Sequence, residues 1–369
     1  MSRISIRLHW VQVPLHEPFR ISSGAITVKD AILIELHADG VTGWGEASPM
    51  AGAFYSSETP EGAWQFLSSQ LVPSFLARPE LDPRRCFERL AEFPGEPFAK
   101  AGLEGAVWDW WCMKRGIILG EALGGTMRPL SSGAAIGLMS TTPDLLNRVE
   151  RFLSQGYRRV KIKIEPGQDI ALVSAVRERF GDIPLMVDAN AAYRLESIAI
   201  FEEMDRVGLM MIEQPLGREA LEEHAELQRH LRTPICLDES AADLPAIETI
   251  IRLKSARILN IKVQRLGGLW LARQAHDLAQ GAGIPCWLGT MPELGIASAQ
   301  GLHLGTLPNF TFPTDIEAST RWYVHDIISP LIEVTSQGWI NLPQGRGTGY
   351  RVDTEKVARY RICREEFAA

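Results

Sequence analysis

Lys161-Ile162-Lys163, Asp188-Ala189-Asn190, Glu213-Gln214-Pro215, Asp238-Glu239-Ser240 and Asn260-Ile261-Lys262 each close an apolar run, and they follow one another about 25 residues apart. A short strand, a helix and two turns fill about that length, so the spacing predicts a β/α barrel. In a barrel the C-terminal ends of all the parallel strands open onto one face. Residues far apart in the chain therefore meet there.

Working outward, strands are predicted to end near Leu138, Ile164, Asn190, Pro215, Ser240, Lys262, Thr290 and Ile316, and eight of them close the barrel. Residues 126–321 form this catalytic domain. Residues 1–125 read as a separate α+β capping domain. There 3–13 and 31–39 alternate as strands do, and Asp39-Gly40 marks a hairpin. Thr59-Pro60-Glu61 caps and opens a helix, and Ala99 to Arg115 repeats apolar residues at helical spacing. Trp108, Trp110 and Trp111 lie in that helix and are expected to pack in the core rather than stack on a ligand. Residues 322–369 return to the capping domain, with Leu331–Val334 and Trp339–Leu342 expected to pair as strands. The fold class is thus an α/β barrel of modified (β/α)7β type, with an N-terminal α+β cap completed by the C-terminal segment.

A chain of 369 residues, 46% hydrophobic, can bury a barrel core and a smaller domain. A net charge of −7 without a long basic block argues against nucleic acid and anionic membrane as partners. Five cysteines without CxxC spacing fit reduced thiols, and no His-x-x-x-His pair suggests zinc. With neither a signal peptide nor a membrane span in view, a cytoplasmic protein is expected. Homo-oligomerisation is expected too.

Singly, each acid could be a helix N-cap. Asp188, Glu213 and Asp238, however, directly follow Val187, Ile212 and Leu237, so all three share one register on buried strands. Carboxylates gathered at a barrel mouth repel without a cation, and oxygen ligands suit a hard one such as Mg²⁺, with Mn²⁺ as an alternative. Lys161 and Lys163 point to the same side of their strand, and the isoleucines between and beside them belong under the helices, so both lysines face the barrel interior. Desolvation beside other cations is expected to lower their pKa values. Lys262 ends the sixth strand, across from the second.

These residues, with Pro18-Phe19-Arg20, Ser23-Gly24, Gly43-Trp44-Gly45-Glu46, Phe54-Tyr55, Glu58-Thr59, Glu165-Pro166-Gly167 and Asp315-Ile316-Glu317-Ala318-Ser319, resemble the enolase superfamily nearly end to end. The resemblance is to its muconate-lactonising subgroup, and within it to the o-succinylbenzoate synthase / N-succinylamino acid racemase family. It implies that Asp188, Glu213 and Asp238 hold Mg²⁺, that Lys163 and Lys262 are the acid/base pair, and that Lys161 supports Lys163 and contacts the substrate carboxylate. It further implies substrate contacts from Asn190, Ser23, Tyr55, Arg265 and Met291, with Glu239 and Glu293 behind the ligands. Three departures fall near the substrate. Val263-Gln264-Arg265 replaces the usual Pro-Gly-Arg, Pro292 and Leu294 alter the loop after the seventh strand, and Ala135 stands where a serine is usual.

The expected activity is o-succinylbenzoate synthase, a dehydration through an enediolate in menaquinone biosynthesis, with N-succinylamino acid racemase activity from the same lysines. Alternatives are a dipeptide epimerase or a muconate cycloisomerase, and, outside catalysis, an inactive barrel used for binding. The partner in each enzymatic case is a small-molecule carboxylate.

Overall fold

The computed structural model describes residues 4–21, 24–52 and 56–369. Near the N-terminus β1 (Ser5–Ile21), β2 (Gly24–Ala38) and β3 (Val41–Ala47) form an antiparallel sheet, and Arg361–Ala368 adds to the outer edge of β1. Asp39 and Gly40 turn between β2 and β3 with φ of 52° and 73°, the left-handed pair that a tight hairpin turn requires. Successive residues of β2 serve two cores. Ala31 and Leu33 join the cluster that continues into the barrel, while Ile32, Ile34 and Leu36 join the one under the cap helices.

Helix Pro97–Arg115 packs against β3. Glu58 caps it by accepting from the Phe98 and Ala99 amides at 2.8 Å. Trp108 and Trp110 are buried, as their helical spacing predicts. The approach of β3 is close: a Cβ on Gly45 would lie 1.9 Å from the Gly102 carbonyl oxygen. Glu46, on the same strand, is fully buried and accepts from the Leu294 and Ala297 amides at the start of helix Gly295–Leu304. Gln264 bonds both Ser48 N and Glu46 O, which fastens the cap to the loop that follows Lys262.

Seven parallel strands curl in sequence order: Ala134–Ile136, Val160–Lys163, Leu185–Asp188, Ile212–Glu213, Ile235–Leu237, Ile258–Ile261 and Cys286–Leu288. The eighth predicted strand is not regular. Its segment bonds the last strand through Thr311 N to Cys286 O and Asp315 N to Leu288 O, and the first edge through Thr314 N to Ser131 O. Pro308 and Pro313 remove amide donors from this stretch, so it bridges the two edges without a ladder. Leu331–Val334 is likewise not a strand, because Ile332 bonds Ser319 instead. Trp339–Ile340 pairs with Leu130–Ser131.

Asp315 ties this bridging segment to the barrel interior. It accepts from Lys161 Nζ at 2.6 Å and from Arg159 at 2.8 Å. Burial acts to raise its carboxyl pKa, but the two cations outweigh burial and hold it at about 2. Lys161 responds in the opposite sense. Burial acts to lower it, yet Asp315, Glu213 and Asp188 carry it above the ordinary lysine range. The expected lowering therefore does not hold for Lys161, whose neighbours are chiefly carboxylates.

Gly45→Ala is expected to cost about 3 kcal/mol, because the added methyl meets backbone that cannot swing away. Gly62→Ala, whose methyl has room 3.4 Å from Thr59, stays within about 1 kcal/mol. Urea unfolding midpoints check the pair. Asp315→Asn leaves Lys161 and Arg159 buried without their shared anion and should cost about 3–5 kcal/mol at pH 7. The wild-type carboxyl titrates lower folded than unfolded, so its contribution is full above about pH 4 and fades toward pH 2. The gap between wild type and Asp315→Asn should narrow over that window; a gap that stays constant with pH contradicts the assignment.

Candidate active site

The strand ends bring the acid row together at one mouth. Asp188 closes the third barrel strand, Glu213 closes the fourth, and Asp238 follows the fifth; all three are at most 2% exposed. In-register pairing sets Lys163 beside Asp188 and Asp188 beside Glu213. The turns leaving these strands are tight: Asn190, Ala191 and Gln214 adopt left-handed backbone with φ of 42°, 61° and 38°. Gln214 supports the turn beside it, accepting from the Asp238 and Ser240 amides.

Among the described residues no three metal-binding side chains already converge on one point. Ammonium groups stand between the acids instead. Lys163 Nζ donates to Asp188 Oδ2 at 2.5 Å and to Asn190 Oδ1 at 2.6 Å. Lys161 Nζ lies 3.3 Å from Glu213 and 3.7 Å from Asp188. Lys262 Nζ donates to Asp238 Oδ2 at 2.8 Å. Ile162 packs outward in the core, so both lysines of the second strand do face inward.

The acids answer these neighbours differently. For Asp188 and Asp238 burial acts upward, but the adjacent lysines, and Arg265 at Asp238, bring both below the usual carboxylate range. Glu213 is pushed up to about 8 by burial and by the charge of Asp188. Asn260 donates to its Oε1 at 2.7 Å. Behind the row, Glu239 accepts from Asn190 at 3.2 Å, and burial followed by Asp238 raises it to about 7. Glu293 is raised to about 8 by burial and Glu46, and accepts from the Met291 amide.

One cavity of about 840 Å³, its open mouth included, takes in much of this constellation, while Glu213 and Glu239 lie outside its lining. Lys161, Lys163, Asp188, Asn190, Asp238 and Lys262 form its polar floor. Phe19 from the cap, Met50, Met291, Ile316 and Trp322 supply apolar walls, the balance expected of a small-molecule site. Met291 and Ala135 line it as the sequence suggested. Arg265 does not: it engages Asp238, the Ala241 carbonyl and the Asn260 carbonyl, so it positions an acid. Ser23 and Tyr55 lie outside the described residues.

Asp315, Glu317, Asn260 and Phe19 stand in the quoted motifs, but the sequence assigned them no role. Asp315-Ile316-Glu317 carried a usable signal, since its polar, apolar, polar order repeats that of Lys161-Ile162-Lys163. Glu317 is buried, lines the cavity and accepts from the Ala135 amide at 2.8 Å.

Residues 3–124 match the N-terminal domain of the mandelate racemase / muconate lactonizing enzyme family, and residues 144–357 match its enolase C-terminal domain-like partner. The chain is 44% identical over 354 residues to o-succinylbenzoate synthase of Geobacillus kaustophilus, covering 96% of this chain and 94% of that protein. It is 42% identical over 350 residues to N-succinylamino acid racemase of an Amycolatopsis species, covering 95% of each. An enolase superfamily structure from Listeria innocua superposes with a TM-score of 0.94 at 35% identity, covering 100% of this chain and 99% of that one. A cap fastened over a curled parallel sheet, both halves recognised from sequence, places this chain in the enolase superfamily.

Proposed function

We propose that the protein is an o-succinylbenzoate synthase, dehydrating a hydroxylated cyclohexadiene carboxylate to the aromatic product, and that the same lysines racemise N-succinylamino acids. One observation carries the reading. Lys163 and Lys262 enter a single cavity from the second and sixth barrel strands, together with Asp188 and Asp238 of the acid row. The similar synthase and racemase from Geobacillus and Amycolatopsis support the choice of substrate class.

The donor set fits a divalent cation. Asp188, Glu213 and Asp238 are buried oxygen donors on adjacent strands, and burial together with the charge of Asp188 raises the Glu213 carboxyl, which a cation held here would relieve. Mg²⁺ suits them best, held by these three residues. When bound, it supplies positive charge for the substrate carboxylate and for the charge that grows on its oxygens as the neighbouring proton leaves.

The remaining steps belong to side chains. Lys161 keeps its proton because Asp315 holds it, so it serves as a fixed cation facing the substrate carboxylate. Lys163 and Lys262 donate to Asp188 and Asp238, so each lysine nitrogen stands against an acid that would hold the cation and beside the position of the substrate carboxylate. Neutral Lys163 takes the proton next to the carboxylate. The C–H electrons pass into the carboxylate to give an enediolate; as it collapses a ring double bond forms, the C–O bond breaks, and protonated Lys163 returns its proton so that the hydroxyl leaves as water. Lys262 stays charged on the far face and stabilises the intermediate. In racemisation it delivers the second proton. The apolar walls of Phe19, Met291 and Trp322 suit a ring and exclude water.

Lys163→Ala should lower turnover of the cyclohexadiene substrate at least about a thousandfold. For N-succinylphenylglycine in D₂O, Lys163→Ala should block α-proton exchange from one enantiomer and Lys262→Ala from the other. Equal loss from both enantiomers in a folded Lys262 variant contradicts the division of roles. EDTA should abolish activity and added Mg²⁺ restore it, while Asp238→Asn should raise the Mg²⁺ concentration needed for half-maximal rate by at least about tenfold. Full turnover after exhaustive chelation removes the metal from the proposal.

A further inference from the structure

Beside the main cavity runs a second groove whose walls include Glu17, Phe19, Leu138, Arg148, Arg321 and Trp322. Phe19 and Trp322 belong to both, with ring centroids 5.0 Å apart edge to face, so this pair is the partition. The first barrel strand runs from one space to the other, contributing Ala135 to the cavity and Ile136 to the groove.

The charges of the groove are mostly spent on one another. Glu17 lies 2.7 Å from Arg148 and 3.5 Å from Arg151. Asp144, also in the wall, accepts from the Thr141 hydroxyl at 2.6 Å. Arg321 is different. Its Nε sits 3.2 Å from the buried Glu317 carboxylate, and its plane lies 4.5 Å from the Trp322 ring and 5.0 Å from Phe152. Its side chain is only 13% exposed, yet among the described residues no nitrogen of its guanidinium, the buried Nε included, makes a hydrogen bond. Such a guanidinium is held by its ion pair with Glu317 and by contact with two rings, and its forked end, within electrostatic reach of Glu17, is not hydrogen-bonded. That end matches a carboxylate, and the pinned side chain loses little freedom on binding one.

The main cavity has no comparable vacancy for a second anion. Lys161, Lys163 and Lys262 already face Asp188, Glu213, Asp238 and Asp315, and another carboxylate there would meet that acid row. We propose that Arg321 recognises a second carboxylate of the substrate, remote from the reacting one, whose tail leaves the main cavity past Phe19 and Trp322. The site is thus built for dicarboxylates, and Arg321 sets that preference. This inference rests on the function proposed above and names the residue that reads the succinyl tail.

The test compares two substrates differing only in the tail, N-succinylphenylglycine and N-butanoylphenylglycine, by α-proton exchange in D₂O followed by NMR. Wild type should favour the succinyl compound. In Arg321→Met the ratio of kcat/KM values, succinyl over butanoyl, should fall by about tenfold or more, through a higher KM for the succinyl compound. Arg321→Lys, which keeps the charge without the fork, should recover part of the ratio. Exchange of the butanoyl compound by each variant reports that the fold and the lysines are intact. A ratio unchanged within about twofold in Arg321→Met, or equal losses on both compounds, overturns the subsite while leaving the parent activity standing. A wild type inert toward both compounds and toward the cyclohexadiene carboxylate overturns the proposed function and this inference together.

Discussion

Three carboxylates on neighbouring strands, all nearly out of contact with water, can share so small a space only because positive charge lies among them. Lys161 is central to that balance. It reaches Asp315, Glu213 and Asp188 at once, and so links the third and fourth strands to the segment that closes the barrel. Arg159 repeats the bond to Asp315 from deeper in the barrel, over the buried Trp287 ring. Removing any member leaves its partners charged and unsolvated, which makes this electrostatic cluster both a structural constraint and the floor of the site.

The cap makes a different contribution. Its sheet brings Phe19 and Met50 to the cavity, and side chains from both sides dock it on the barrel, Glu104 and Gln300 among them. Glu46 inserts a carboxylate into the first turn of helix Gly295–Leu304, where two free amides await an acceptor. Gln264 returns the gesture from the loop behind Lys262. The loop that follows Lys262 and the cap that lines the cavity are therefore joined directly by hydrogen bonds.

Much of this was legible from residue order. The 25-residue rhythm and the shared register of Asp188, Glu213 and Asp238 pointed to the barrel mouth because strand alternation and barrel geometry leave few choices. Asp39-Gly40 and Thr59 behaved as local chemistry predicts. The failures share a cause. Leu331–Val334 has the composition of a strand, but Ser319 captures Ile332 from elsewhere in the chain. Arg265 follows Lys262 by three residues, yet its guanidinium turns to Asp238 and two carbonyls. Lys161 was expected near cations, and the carboxylate across from it comes from residue 315. Each outcome depended on a partner distant in sequence, which pattern and propensity do not reveal.

The strand Arg361–Ala368 pairs with β1 from Ser5 to Val11, so the first and last parts of the described chain lie side by side. Every barrel strand is encoded between them. During synthesis the cap sheet must wait, with β1 lacking its outer neighbour, until the whole barrel has left the ribosome. An open sheet edge is a site for pairing with other chains. The order of the chain thus makes the outer edge of the cap sheet depend on a strand encoded after every barrel strand, so the barrel can close while that edge is still open.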